Sequence, residues 1–363
     1  MGHAADRDAR ALTPLGRLIA ARIARDGPMR LDDYMQTCLL HPEHGYYSTR
    51  DPFGAAGDFT TAPEISQMFG ELAGLALAQA WLDQGAPAPF TLAEIGPGRG
   101  TLMADIRRAT RAVPGFADAA RLSLVEASPH LRQVQAQALG PVAHLDSVAD
   151  LPDAPLFLIA NEFLDALPIR QFVRVERGWA ERMVTARDGA LGFALAAPVA
   201  LPREGALGEV FEDRPGAAAV VAEVARRIVA RGGVAVLVDY GTWDGRGDSL
   251  QALRRHGFED PLANPGEADL TSHVDFAPLA AVAMDAGAAV SAPVPQGQWL
   301  RALGIEARAA RLAQAGDSGA AGALHRLTDP AAMGHLFKAM AIWPRHAPAP
   351  PGFAGLEDHA AHA

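Results

Sequence analysis

The sequence predicts an α/β fold organised around a parallel sheet, and three observations carry that expectation. Four short apolar runs, Phe90 to Ile95, Leu122 to Glu126, Leu156 to Ala160 and Val234 to Tyr240, read as strands buried on both faces. Segments with helical periodicity, Thr101 to Arg111, Ser128 to Leu139 and Ala217 to Ala230, lie between them. A glycine-rich turn, Gly96-Pro97-Gly98-Arg99-Gly100, joins the first run directly to the first of those helices. Runs and helices in alternation make right-handed crossovers and cover both faces of a sheet.

The remaining elements follow in chain order. Thr13 reads as an N-cap ahead of a proline at the first helical position, with Leu15, Leu18, Ile19 and Ile23 on one face; Gly27-Pro28 ends that helix. A second short helix is expected over Leu31 to Leu40. The stretch HPEHGYYSTRDPFGAAGDFTTAP is a long Gly/Pro/aromatic loop, and such loops are often lids. Tyr46, Tyr47, Phe53 and Phe59 would either plug a core edge or close over a ligand, with Gly45, Gly54 and Gly57 supplying mobility. Thr61 and Glu64 form a capping-box pattern before Ile65, Met68, Phe69 and Leu72, which keep helical spacing. Ile169 to Phe193 reads as a β hairpin around "RDG", while Leu201 to Pro215 and Thr242 to Ser272 read as insertions. The end, APAPPGFAGLEDHAAHA, has the composition of a disordered tail. The expected division is residues 1–63, N-terminal helices and aromatic lid loop; 64–200, the first part of the core; and 201–230, an insertion and a core helix. Residues 231–345 then complete the core with an inserted substrate-side segment, and 346–363 form the tail.

Composition excludes several function classes. A net charge of −10 argues against a sequence-independent grip on nucleic acid, which relies on Lys and Arg at phosphates. Cys38 is the only cysteine, so an internal disulfide and a cysteine metal cage are both impossible. The histidines show no clustered ligand spacing, and no metal is expected. The N-terminal MGHAADRDAR lacks an apolar segment and no run approaches the length of a membrane span, so a cytoplasmic protein without a transmembrane segment is the expectation.

Glycine permits unusual dihedrals and lets a ligand lie against the main chain, while a helix N-terminus offers free N–H groups to it. A nucleotide-like cofactor fits such a turn; a tight turn serving no ligand is the other reading. The dinucleotide fingerprint requires G-x-G-x-x-G with an acid about 20 residues on. Here the spacing is G-x-G-x-G, position 101 is Thr, and the next strand-end acid, Glu126, lies further along. Glu94 before the first glycine, together with G-x-G-x-G, resembles motif I of the Rossmann-like S-adenosylmethionine methyltransferases. In that arrangement Glu126 is placed to accept hydrogen bonds from two ribose hydroxyls. A nicotinamide oxidoreductase is disfavoured by the same spacing.

The fourth strand runs into "LIANEFLDALPIRQF". Ligands of open α/β sheets sit beyond the carboxyl ends of the strands, so Asn161, Glu162 and Asp165 bring an amide and two carboxylates to that rim. Helix capping is the competing role, for which Asn and Asp are favoured and Glu is not. The fifth strand ends at the same rim in Asp239-Tyr240-Gly241. His273 either deprotonates a nitrogen or caps a helix starting near Asp275.

The segments GDFTTAPEISQMFGELAG, EIGPGRGTLMADI, ANEFLDALP, VDYG, NPGEADLTSHVDF and DPAAMGHLFKAMAIWP resemble the MidA-like methyltransferases, from about Leu15 to about Pro344. These are bacterial and mitochondrial relatives of the assembly-factor enzyme that methylates an arginine on the quinone-site subunit of respiratory complex I. The resemblance implies a Rossmann-like class I methyltransferase sheet with an N-terminal helical and lid segment and an inserted smaller subdomain. It implies S-adenosylmethionine as cofactor, held by Glu94, Gly96, Gly98, Gly100 and Glu126, with Asp58, Thr60 and Thr61 over its methionine end. Thr61 also reads simply as an N-cap. Glu162 and Asp165, with Asn161, are the catalytic candidates, since two carboxylates would fix a guanidinium and expose one nitrogen to the methyl. The implied partner is that complex I subunit; a small-molecule methyltransferase and a non-catalytic assembly chaperone are the alternatives.

Overall fold

The computed structural model describes residues 12–49, 60–245 and 247–353. Asp58, Phe53, Phe59, Gly54 and Gly57 lie outside the described residues. The chain divides into two compact units, one of Met1–Arg50, Pro168–Arg214 and Arg246–Ser272, the other of Asp51–Leu167, Pro215–Gly245 and His273–Ala363. This differs from the division drawn from sequence. Residues 168–200, placed there in the core, belong to the first unit, because their strands pair with Met29–Arg30 and Val210–Asp213 rather than with the parallel sheet.

The second unit contains the parallel sheet. The strands along its main path, numbered here in chain order, are β1 (Phe90–Ile95), β2 (Ala120–Val125), β3 (Ala143–Leu145), β4 (Leu156–Asn161), β5 (Gly233–Thr242), β6 (Ala288–Val290) and β7 (Phe337–Pro344), with Val274–Asp275 and Val294–Pro295 paired beside β5 and β7. They lie in the order β6-β7-β5-β4-β1-β2-β3, with β7 antiparallel to both its neighbours. Period-2 alternation divides the apolar side chains between two cores. Phe90, Leu92, Phe157, Ile159, Val234, Val236 and Val238 face one core, which includes the helix Gln67–Asp83. Ala93, Ile95, Leu156, Leu158, Ala160, Ala235 and Leu237 face the other, formed with Pro215–Arg231 and Phe276–Asp285. Inside the first core the carboxylate of Glu71 accepts from Arg308 Nε at 2.6 Å and from Arg108 Nη1 at 2.5 Å. Burial would push that carboxyl up, but the two guanidinium groups outweigh it and hold the acid below its ordinary range.

Two local expectations change here. The capping box does not form: the Thr61 hydroxyl makes no cap bond, and Glu64 instead accepts from Thr101 Oγ1 at 2.5 Å. The helix accordingly breaks after Ala62–Ile65, and Ser66 restarts it, its hydroxyl accepting from Met68 N. The chain end is not disordered from residue 346, since Phe353 is fully buried and packs against Trp299 with ring centres 6.0 Å apart. That tilted ring contact supplies burial that the Pro/Ala composition did not announce.

The first unit opens with the expected helices Pro14–Asp26, capped by Thr13 Oγ1 accepting from Gly16 N, and Leu31–Leu40. Ile169 to Phe193 forms more than one hairpin. Arg170–Val175, Gly178–Arg187 and Ala190–Leu195 make a three-stranded meander, with "RDG" at its second turn. The two insertions are also structured, contributing Val210–Asp213 to this sheet and a small separate one from Gln251–Arg254, Gly257–Glu259 and Asp269–Thr271. Tyr46 is fully buried, edge-on to Tyr47, whose hydroxyl donates to Asp269 at 2.9 Å. Tyr46 is therefore core of this unit, with Tyr47 tied beside it.

Candidate active site

Four adjacent strands of the second unit bring the predicted residues to one edge. Register pairs Ile95 with Val125 and with Ala160, and Asn161 with Val238, so the glycine turn, Glu126, the Asn161–Asp165 loop and Asp239 all follow the carboxyl ends of neighbouring strands. Strand order reverses between β1 and β4, which is where open α/β sheets bind their ligands.

At β1 the chain leaves the sheet through Gly96, Gly98 and Gly100, all left-handed, with φ of 65°, 51° and 82°. Gly100 is the N-cap of the helix Thr101–Thr110. Protein packing already requires two of these glycines. A Cβ at Gly96 would lie 2.9 Å from the ring of Phe163, and one at Gly100 would lie 3.1 Å from Leu139. The bare backbone at these two positions thus serves close packing within the protein.

Beneath the turn, Glu94 is almost wholly buried. Burial pushes its carboxyl up to about 8, against a bond from the Met103 N–H, and the neighbouring Glu126 adds to the rise. Its Oε2 has no hydrogen-bond partner among the described residues. At the end of β2, Glu126 accepts from Ser128 N at 2.7 Å through Oε1 and from Gln135 Nε2 at 3.1 Å through Oε2. The Ala127 N–H also bonds this carboxylate, and with about four acceptor positions it keeps capacity for a further hydroxyl donor.

The loop after β4 is not a helix start. Residues 162–167 form bends and a turn, so Asn161 and Asp165 cap no helix and the competing reading of them falls. Glu162 adopts φ 51°, a left-handed conformation that non-glycine residues rarely hold. Its Oε1 accepts from Ala62 N and from Asn161 Nδ2, each at 3.1 Å. The residue is only partly buried overall, yet its carboxylate is the desolvated end: burial pushes it up to about 7, opposed by the Ala62 N–H and reinforced by the charge of Asp165. Asn161 Oδ1 is buried without a partner among the described residues.

What holds that strained loop is Asp239 on β5. Its Oδ2 accepts from the N–H groups of Phe163, Leu164 and Asp165 at 3.2, 2.8 and 3.2 Å, while Oδ1 accepts from Tyr240 N at 2.9 Å. Sequence reasoning placed Asp239 at the rim without this role. It missed Gln135 and Phe163 altogether; for Gln135 the only available signal was a polar residue on the buried side of an amphipathic helix. His273 is not the cap of the helix Phe276–Asp285, because Asp275 takes that place and accepts from Ala277 N; the His273 ring lies edge-on to Tyr240 at 5.2 Å. Thr60 precedes and Thr61 begins the short segment whose Ala62 N–H reaches Glu162. Among the described residues no group of three or more His, Cys, Asp or Glu is placed to hold a metal ion, and no helix is long and apolar enough to cross a membrane.

A family described as "Putative S-adenosyl-L-methionine-dependent methyltransferase" matches residues 72–294, which contain the glycine turn, Glu126, the Asn161–Asp165 loop and Asp239. The chain belongs to that family. The methyltransferase is 34% identical to "Protein arginine methyltransferase NDUFAF7, mitochondrial" of Mus musculus, over 92% of this chain and 85% of the relative. It is likewise 34% identical to the Drosophila melanogaster homolog, over 91% and 85%. A crystal structure from Burkholderia thailandensis bound to S-adenosyl-homocysteine superposes with a TM-score of 0.85 at 30% identity, covering 96% of each chain. The enzyme uses S-adenosylmethionine, and the residues present fit it: a left-handed glycine turn at a helix N-terminus, an acid with acceptor capacity remaining at a strand end, and buried polar atoms at Glu94 and Asn161 without protein partners among the described residues.

Proposed function

We propose that this methyltransferase methylates an arginine side chain of a protein, and that the protein is the quinone-site subunit of respiratory complex I. The observation that carries the reading is the pair of acids, Glu162 and Asp165, on a loop where neither has a helix to cap. The names of the mouse and fly relatives support arginine as the acceptor.

Bound S-adenosylmethionine supplies an electrophilic methyl group on a sulfonium. Gly96, Gly98 and Gly100 offer backbone to it, Glu126 accepts from its ribose hydroxyls, Glu94 supports the turn from below, and Thr60 and Thr61 flank its methionine end. Asp58 belongs to the same proposal. Glu162 and Asp165 accept from the guanidinium, fix its plane and draw its charge toward the far nitrogens, with the Asn161 amide bracing Glu162. Asp239 keeps the loop that presents them in place.

The test is radiolabelled methyl transfer to the isolated quinone-site subunit, comparing wild type with Glu162→Gln and Asp165→Asn, with circular dichroism and calorimetry confirming fold and cofactor binding. Both variants should transfer much more slowly. Normal rates in both would make the carboxylates structural. A wild type that transfers no methyl, yet whose loss leaves complex I unassembled, would favour an assembly chaperone.

A further inference from the structure

Gln135 lies on the helix Pro129–Leu139, is fully buried, and belongs to none of the motifs above. Its Nε2 donates to the Gly98 carbonyl at 2.7 Å and to Glu126 Oε2 at 3.1 Å, while its Oε1 lies 2.9 Å from Nε2 of His144 on β3. One amide therefore ties the middle of the glycine turn to the acid at the end of β2.

The chemistry fixes which way the amide points. A carbonyl oxygen only accepts, and so does an ionised carboxylate, so the group between Gly98 and Glu126 must be the NH2. Oε1 then faces His144, whose Nε2 must carry a hydrogen to satisfy it. A flipped amide would set an oxygen against two acceptors and an NH2 against that donor. The two acceptors therefore exclude the flipped arrangement, and His144 Nε2 supplies the donor that Oε1 then requires. Burial holds the His144 ring below its ordinary range, which favours the neutral ring, and the contact with the Gln135 oxygen selects its Nε2–H tautomer.

We infer that Gln135 is a positioning residue for cofactor binding, which locks the Gly98 backbone and the Glu126 carboxylate in one fixed relation, and that His144 anchors the far end of its amide. Neither residue touches the reacting atoms. Both act by holding two cofactor contacts in register, so the cost of ordering them is met before the cofactor arrives. The inference rests on the assignment of the turn and Glu126 to the cofactor.

Calorimetry with S-adenosylhomocysteine tests it on the full chain. Gln135→Met keeps length and apolar contact but removes the bonds, and should raise Kd about tenfold, the loss of one hydrogen bond to a charged group. In kinetics the loss should fall on KM for S-adenosylmethionine rather than on kcat. Gln135→Glu, which places a carboxylate against Glu126 and the Gly98 carbonyl, should bind at least as weakly. His144→Phe leaves Gln135 in place and should raise Kd by about threefold through the freed amide. Because Gln135 acts partly through Glu126, the Glu126→Ala/Gln135→Met double variant should lose less than the product of the two single losses. An unchanged Kd in folded Gln135→Met and His144→Phe overturns the inference, as do fully multiplicative losses. Should Gln135→Met fail to fold, His144→Phe alone decides. A wild type that does not bind S-adenosylhomocysteine would instead overturn the cofactor assignment of the turn, and the inference with it.

Discussion

Replacing Asp239 by Asn tests whether the loop that carries the proposed catalytic acids is held by one buried carboxylate. Four N–H groups, from Phe163, Leu164, Asp165 and Tyr240, converge on its two oxygens at 2.8 to 3.2 Å. An asparagine can keep the oxygen toward the first three only by turning its NH2 toward Tyr240 N–H. One bond is then lost to a donor facing a donor, and the other three fall from charge-assisted to neutral strength. With neutral bonds worth about 0.5–1.5 kcal/mol and charged ones about 1.5–3, the expected destabilisation is roughly 2–4 kcal/mol. The chain should still fold, because the flanking strands keep their register and apolar cores. Its loop, however, loses the restraint that holds Glu162 left-handed, and methyl transfer should fall about a hundredfold, the penalty of displacing a reacting geometry by about 1 Å. Thermal unfolding should fall by several degrees, with calorimetry on S-adenosylhomocysteine little changed because the glycine turn and Glu126 are untouched. An Asp239→Asn protein that melts and transfers methyl like wild type would show that the clamp neither supports the loop nor matters to the chemistry.

Four further outcomes follow from the geometry. Glu162→Gln should leave cofactor affinity nearly unchanged while methyl transfer falls at least about a hundredfold, the usual worth of a transition-state electrostatic contact; because the acid sits near 7, wild-type rate should rise with pH through about 7 and the variant's profile should lose that limb. Glu94 titrates near 8 when folded against an ordinary 4.5, so the fold binds its proton more tightly than the unfolded chain. Stability should therefore be fullest below pH 4.5 as far as this group is concerned and decline toward pH 8, by up to about 1.4 kcal/mol per unit; urea titrations of Glu94→Gln should show a flatter profile, and an identical slope would contradict the assignment. Glu126→Ala should weaken S-adenosylhomocysteine binding by about 1.5–3 kcal/mol in a folded protein, measured by calorimetry. Gly96→Ala must both hold φ 65° and push its Cβ into Phe163, so it should cost about 1–3 kcal/mol in thermal or urea unfolding, more than a surface glycine would.

Much of the site was legible because each acid stands at the end of an apolar run, and the run locates the strand end. Phe90–Ile95 has the bounds its apolar run suggests, and β2, β4 and β5 differ by only a residue or two at either end. Glu94, Glu126 and Glu162 could therefore be placed at one rim before any pairing was known. The competing caps at Asn161 and Asp165 could not be removed that way, since the signal for a cap is the residue itself and the helix that fails to follow is a tertiary outcome.

The sequence by itself determined the strand and helix alternation, the left-handed glycine turn and the acids at the strand ends, because period and backbone permissiveness are properties of neighbouring residues. Only the tertiary structure decided that three separate stretches of chain build the first unit, that Phe353 closes on Trp299, and that Asp239 gathers the N–H groups of a loop some 75 residues earlier. It also decided the charge state of the acids. Glu94, Glu126 and Glu162 are one residue type with one ordinary value, and burial raises all three, Glu94 to about 8 and Glu162 to about 7. Desolvation depends on what packs around a carboxylate, and those atoms come from positions far along the chain that no local pattern names.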